Sequence, residues 1–407
     1  MKNIEKINGG VCGPKGFLAG GVHCGIRKNQ QKKDLAVILS KVDCAAAAVY
    51  TQNKVYGAPI TVTRQNISDG RAKAVICNSG NANTCNADGI EKAQAMCDMT
   101  AKAFGIAPGD IIVASTGVIG QSLDISPIEK GIEMLKGNLS DGGATDAAMA
   151  IMTTDLSPKE IALSRQIGGK TVKLGAMAKG SGMIHPNMAT MLCFITSDVN
   201  IAPKMLQKAL SQVAGDTFNM ISVDGDTSTN DMVSIMASGL AENPLIENEG
   251  EDFEAFKEML FEASKALSMM IAADGEGATK LLECAVNNAP SKQLAVDISK
   301  SVITSSLVKT AMFGQDANWG RILCAIGYTP GDFAVDKISV ALSSEGGKVD
   351  VCKNGAGVPF SEEKAADVLA AKEIRIDIDM GQGEGSATAW GCDLTYDYVK
   401  INGDYRT

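Results

Sequence analysis

The sequence predicts a layered α+β sandwich in which helices cover sheets. Three observations carry it. Short apolar runs of strand length recur through the first half of the chain, apolar stripes at helical spacing occupy four separate segments, and the last third returns to strand-like patterning. Strands and helices therefore come in blocks rather than in strict alternation.

In chain order, residues 35–39, 45–50 and 74–77 are continuous apolar runs, the mark of strands buried on both faces. Residues 90–104 carry Ala93, Ala95, Met96, Met99 and Ala103 on one helical stripe. Residues 111–114 form another buried run. Residues 161–167 and 171–177 flank Gly168-Gly169 and are expected to form a hairpin. After a further strand at 192–195, residues 203–218 open with Pro203 in the first helical turn and align Met205, Leu206, Ala209, Leu210 and Val213. Longer helical patterns cover 253–271 and 294–312. Strands are expected at 338–342, 348–352, 373–379 and 387–398.

Composition narrows the function classes. At 407 residues and 45% hydrophobic content the chain can bury a large core. Aromatics make up only 4% while Gly (43) and Met (19) are plentiful, so that core is aliphatic, with small residues letting layers approach. A net charge of −9 and the lack of any long Lys/Arg run argue against nucleic acid. No apolar run is long enough for a membrane span, and residues 1–6 lack the apolar stretch of a secretion signal, so a cytoplasmic location is expected. The eleven Cys form no CxxC pair and read as reduced core thiols. Two His, His23 and His185, are too few for a His-rich metal site or a His-based triad, and no metal is expected.

The chemistry centres on Lys179-Gly180-Ser181-Gly182-Met183-Ile184-His185-Pro186-Asn187-Met188-Ala189-Thr190-Met191-Leu192. A Gly- and Pro-containing approach leads to a small residue, then Thr190, then an apolar strand. That is the layout of a self-cleaving precursor. Scission of Ala189–Thr190 gives Thr190 an α-amine with a pKa near ~7.7–8.0, able to act as base for its own hydroxyl. Acyl chemistry also needs oxyanion donors. The strand 111–114 ends in Ser115-Thr116-Gly117, which offers the Thr116 hydroxyl and the Gly117 N–H.

Two other loops are rich in carboxylates. Asp224-Gly225-Asp226-Thr227-Ser228-Thr229-Asn230-Asp231 opens like a calcium loop, but Thr229 and Ile235 stand where the turn Gly and the bidentate Glu belong. Asp274-Gly275-Glu276-Gly277 follows a long helix and is expected to expose Glu276 at a helix stop. No phosphate-binding GxxxxGK[ST] and no GxSxG elbow occurs. His185 is read as locally structural.

The segment 179–192 resembles the cleavage motif of the ornithine acetyltransferase family, also called glutamate N-acetyltransferase. The resemblance extends along the whole chain. It takes in Val11-Cys12-Gly13-Pro14-Lys15-Gly16-Phe17, Asn78-Ser79-Gly80-Asn81-Ala82-Asn83, Ser115-Thr116-Gly117-Val118-Ile119-Gly120, Met152-Thr153-Thr154-Asp155, the loops at 224–231 and 274–280, and Gln315-Asp316-Ala317-Asn318-Trp319-Gly320-Arg321. It implies an α chain of residues 1–189, a β chain of residues 190–407, and a fold shared with self-processing aminopeptidases. Thr190 would be the nucleophile, Thr116 and Gly117 the oxyanion hole, and Thr153, Lys179, Thr190, Glu276, Asn402 and Thr407 the substrate contacts.

It further implies ping-pong transfer of acetyl from N-acetylornithine to glutamate in arginine biosynthesis, no cofactor, and an α2β2 heterotetramer. Acetyl-CoA remains open as a second donor. Two rivals stay open at this level: a self-processing aminopeptidase or amidase of the same fold, and a binding protein that never cleaves.

Overall fold

Residues 4–185 and 191–404 are described by the structure, a computed structural model, and the chain divides into two units. The first comprises Met1–Gly180, Pro186–Asn219 and Thr227–Leu267. Its sheet contains β1 (Glu5–Ile7), β2 (Phe17–Val22), β3 (Leu35–Tyr50), β4 (Arg71–Asn81), β5 (Ile111–Val118), β6 (Lys159–Ile167), β7 (Lys170–Lys179), β8 (Leu192–Ser197) and β10 (Met232–Ala237), while β9 (Ile221–Ser222) belongs to the other unit. The order is β1-β6-β7-β8-β10-β3-β4-β5, and β2 also pairs with β3. The β4–β5 and β8–β10 pairs are parallel and the rest antiparallel.

Neighbouring residues of the central strands point into two different cores, which explains their unbroken apolar runs. Ala36, Ile38, Val75, Cys77, Ile112 and Ala114 face one core, shared with α4 (Ala144–Ile151). Leu35, Val37, Ala74, Ile76, Ile111 and Val113 face the other, shared with α2 (Gly89–Phe104) and α3 (Ser126–Lys136). Pro59 opens α1 (Ala58–Asn66), and α5 (Pro203–Asp216) buries Leu206, Ala209, Leu210 and Val213. The Ala-rich α4 approaches β2 so closely that a Cβ on Gly21 would lie 2.0 Å from the Asp146 carbonyl oxygen. α6 (Glu251–Ala273) continues the chain from the first unit's residues into the second's.

The second unit comprises Ser181–His185, Met220–Asp226 and Ser268–Thr407. Its sheet contains β9 (Ile221–Ser222), β11 (Leu281–Ala289), β12 (Ser339–Ser344), β13 (Gly347–Lys353), β14 (Ala356–Gly357), β15 (Glu373–Asp379) and β16 (Gly385–Cys392), ordered β14-β13-β12-β15-β11-β16-β9. α7 (Lys292–Thr304) packs on β11 and β16, and α10 (Glu362–Ala370) on β12 and β13; α8 (Ser306–Phe313), α9 (Trp319–Gly327) and α11 (Tyr396–Gly403) complete the unit.

The layered α+β expectation holds, and the hairpin predicted around Gly168-Gly169 is β6–β7. The runs at 35–39 and 45–50 join in the single strand β3, and two further segments end earlier than expected. The single helix expected over 294–312 is broken at Ser305, whose extended backbone and side-chain oxygen cap α8 through the Val308 N–H. The strand expected over 387–398 stops at Cys392, and the Thr395 hydroxyl then caps α11 by accepting from the Asp397 N–H. In both places a hydroxyl side chain gives the backbone a local partner that ends the regular element.

Candidate functional site

In the first unit the site is built where two strands end. Gly80 and Gly117 are partners in the parallel β4–β5 ladder. Gly117 has φ +132°, and a Cβ there would sit 2.3 Å from the Gly80 carbonyl carbon, so only glycine fits both the angle and the approach. Asn230 ties the two strand ends together. Its Nδ2 donates to the carbonyls of Ser115 (2.9 Å) and Ala82 (2.6 Å), and its Oδ1 accepts from Thr84 Oγ1 (2.6 Å).

β7 ends at Lys179, whose buried Nζ lies 3.5 Å from Thr116 Oγ1. Asp155 organises the surroundings. Its Oδ1 accepts from Lys159 Nζ and from the Gly180 N–H, both at 2.7 Å, and its Oδ2 accepts from the Thr153 N–H at 2.9 Å. Burial alone would raise the Asp155 carboxyl. The Lys179 and Lys159 ammonium groups override it and hold Asp155 well below the usual carboxylate range. Burial pushes Lys179 below the ordinary lysine range, against the pull of Asp155 and Asp231. Asp231 precedes β10 and is only 2% exposed, and its Oδ2 has no hydrogen-bond partner among the described residues. Burial raises its pKa well above the normal carboxyl value. A paired anion, two buried ammoniums and a second buried carboxyl thus form a cluster that reaches the strand-end Thr-Gly pair through Lys179.

In the second unit Glu276 is 8% exposed, which corrects the expectation of an exposed loop carboxylate. Its N–H donates to the Ser181 carbonyl (2.9 Å), and its Oε2 accepts from Asn402 Nδ2 (2.8 Å) on α11. A Cβ on Gly182 would lie 2.4 Å from this carboxylate, so any larger residue there would have to displace it. His185 Nδ1 lies 3.1 Å from Ser222 Oγ. Burial, with Lys300 nearby, lowers its pKa to about 4, so the ring is neutral at pH 7. A local role fits it.

Thr116, Gly117, Thr153 and Lys179 are thus brought together in the first unit, and Glu276 and Asn402 in the second. Ala189, Thr190 and Thr407 lie outside the described residues. Sequence reasoning assigned no role to Asp155, Lys159, Asn230 or Asp231. The Asp155–Lys159 pair at i,i+4 was the available signal, and it looks like any surface ion pair until burial is known.

Such a set of hydroxyl and N–H donors beside buried, charge-balanced groups belongs to an acyl-transfer enzyme on an α+β scaffold. Residues 18–407 match the model of the ArgJ family. The arginine biosynthesis bifunctional protein ArgJ of Caldanaerobacter subterraneus subsp. tengcongensis is 48% identical over 405 residues, 99% of this chain and 100% of that protein. The protein of the same name from Bacillus subtilis is 48% identical over 406 residues, covering 99% of this chain and 98% of the relative. A crystal structure of arginine biosynthesis bifunctional protein ArgJ from Bacillus halodurans matches with 48% identity and a TM-score of 0.51, over 53% of this chain and 100% of that one. The chain belongs to the ArgJ family. No helix among the described residues is long and apolar enough to cross a membrane.

Proposed function

We propose that this chain is a self-cleaving acetyltransferase of arginine biosynthesis, moving acetyl from N-acetylornithine to glutamate. The observation that carries the reading is the Lys179–Thr116–Gly117 arrangement at the ends of β7 and β5. It occurs in a chain that matches ArgJ proteins along nearly its whole length. The Bacillus halodurans chain also bears on processing. It corresponds in full to 53% of this one, about the size of the piece left by residues 190–407.

In processing, Thr190 Oγ adds to the Ala189 carbonyl carbon. The C–N bond breaks, the hydroxyl proton passes to the leaving nitrogen, and an ester joins residue 189 to the Thr190 oxygen. Water then adds to that ester, releasing an Ala189 carboxylate and restoring the hydroxyl beside a new amine.

In transfer, that amine takes the hydroxyl proton as Oγ attacks the acetamide carbonyl of N-acetylornithine. Thr116 Oγ1 and the Gly117 N–H donate to the oxygen as it gains charge. The C–N bond breaks, the proton goes to the departing ornithine amine, and acetyl remains on Thr190. Glutamate's amine attacks the ester, and N-acetylglutamate leaves. Lys179 balances charge beside the oxyanion donors. Thr153 adds a substrate contact next to Asp155. Glu276 and Asn402 form an acceptor pair suited to a substrate ammonium, with Thr407 as a further substrate contact. No cofactor takes part, the cleaved chains form an α2β2 heterotetramer, and the enzyme works in the cytoplasm. Acetyl-CoA is the second donor to assay, by its steady-state rate with glutamate.

Mass spectrometry of the protein incubated with N-acetylornithine tests the reading. The expected result is a fragment beginning Thr190-Met191-Leu192-Cys193 that gains one acetyl group. A single 42.4 kDa species with no adduct sinks it. Acetate release without N-acetylglutamate would instead mark a hydrolase.

A further inference from the structure

We propose that Asp224 is a positioning residue for self-cleavage: its carboxylate clamps the backbone of Met183 and Ile184, the chain's entry to the scissile bond. The inference rests on the self-cleaving reading above and concerns a residue to which that mechanism gives no part.

Met183 has φ +55°, a left-handed angle that a side chain disfavours. Packing does not impose it, because Met183 is 43% exposed. Hydrogen bonds do. The Met183 N–H donates to Asp224 Oδ2 at 2.6 Å and the Ile184 N–H to Asp224 Oδ1 at 2.8 Å. Two successive N–H groups, one beside a left-handed residue, converge on an anion, the arrangement that elsewhere binds a free phosphate or carboxylate. Here the chain supplies its own anion. Asp224 is held in turn by the Asp226 N–H (3.2 Å) and the Tyr398 hydroxyl (3.4 Å). On either side, the Ile184 carbonyl accepts from the Val223 N–H (2.7 Å) and the Ser181 carbonyl from the Glu276 N–H (2.9 Å).

Four residues separate His185 from Thr190. The clamped residues therefore lie within six positions of the Ala189–Thr190 bond. Intramolecular attack depends steeply on holding nucleophile and carbonyl in register, so a fixed entry raises the processing rate. Acetyl transfer needs no such constraint once the bond is cut.

The test is cell-free synthesis of the full chain, followed on a denaturing gel. Asp224→Asn is expected to slow the appearance of two chains at least tenfold, with Asp224→Glu intermediate. Cleaved Asp224→Asn protein is expected to keep kcat and KM for acetyl exchange within twofold of wild type. Melting temperatures of both variants, measured in a Thr190→Ala background, are expected to match Thr190→Ala alone. Processing at the wild-type rate in Asp224→Asn overturns the inference. So does slowed processing in both variants that follows a fall in melting temperature, which would make the role one of general stability. If wild-type protein itself never cleaves, the self-cleaving reading fails first, and that result is distinct from an effect confined to the Asp224 variants.

Discussion

The Lys179 ammonium lies 3.5 Å from the Thr116 hydroxyl, and both are held at strand ends rather than on a loose loop. This spacing is at the outer limit for a hydrogen bond, as is common for catalytic groups before substrate tightens them. In the proposed mechanism the hydroxyl rotates to donate to a developing oxyanion while Lys179 solvates its lone pairs. Thr116→Ala is expected to lower kcat for acetyl exchange by about 10²–10³, the usual cost of one oxyanion donor. Thr116→Ser should retain most of the rate. Steady-state kinetics with N-acetylornithine and glutamate checks this, and an active Thr116→Ala enzyme removes the hydroxyl from the mechanism.

Glu276 Oε2 accepts from Asn402 Nδ2 at 2.8 Å, and this pair is the proposed partner of a substrate ammonium. A carboxylate only 8% exposed is a strong partner for a substrate ammonium, because little water competes. Glu276→Gln keeps the shape and one acceptor but removes the charge. Loss of a charge-assisted bond worth about 1.5–3 kcal/mol is expected to raise KM for N-acetylornithine roughly ten- to a hundredfold. Self-cleavage should proceed, as judged by two bands on a denaturing gel. An unchanged KM would exclude Glu276 as the ammonium's partner.

How far the sequence could be read follows from what each element offers. The β6–β7 hairpin was visible because Gly168-Gly169 interrupts two apolar strands, and α2 and α5 because apolar and polar residues separate onto faces. α4 (Ala-Thr-Asp-Ala-Ala-Met-Ala-Ile) was not, since an Ala-rich helix shows little contrast between faces and is identified by its close fit against β2. Thr116 and Gly117 were legible as a strand end turning through glycine. Burial of Glu276 was not, because it depends on Ser181, Gly182 and Asn402, each distant in sequence. Asp155 and Asp231 were missed for the same reason. A carboxylate's role here comes from which ammonium the fold brings to it, and no local pattern encodes that.

Asp155 and Asp231 act on the same Lys179 ammonium yet shift in opposite directions, and this fixes how stability should depend on pH. Asp155 is held below the ordinary carboxylate value of about 3.9. Its contribution is fully present above that pH and is lost as pH falls below it. Asp155→Asn leaves two buried ammoniums without their shared anion. It should cost about 3–5 kcal/mol at pH 7, and the gap to wild type should narrow as pH drops below about 4. Asp231 is the reverse case. The folded state holds its proton more tightly than the unfolded chain, so stability declines as pH rises from about 3.9 toward the raised folded value. Asp231→Asn removes a group that can ionise but keeps its size. It should therefore raise the melting temperature at pH 7 and leave it nearly unchanged at pH 4. Thermal melts from pH 3 to 8, in a Thr190→Ala background to keep the chain whole, would show both trends. If Asp231→Asn instead destabilises at pH 7 and not at pH 4, Asp231 is ionised in the folded protein and shares with Asp155 the task of neutralising Lys179.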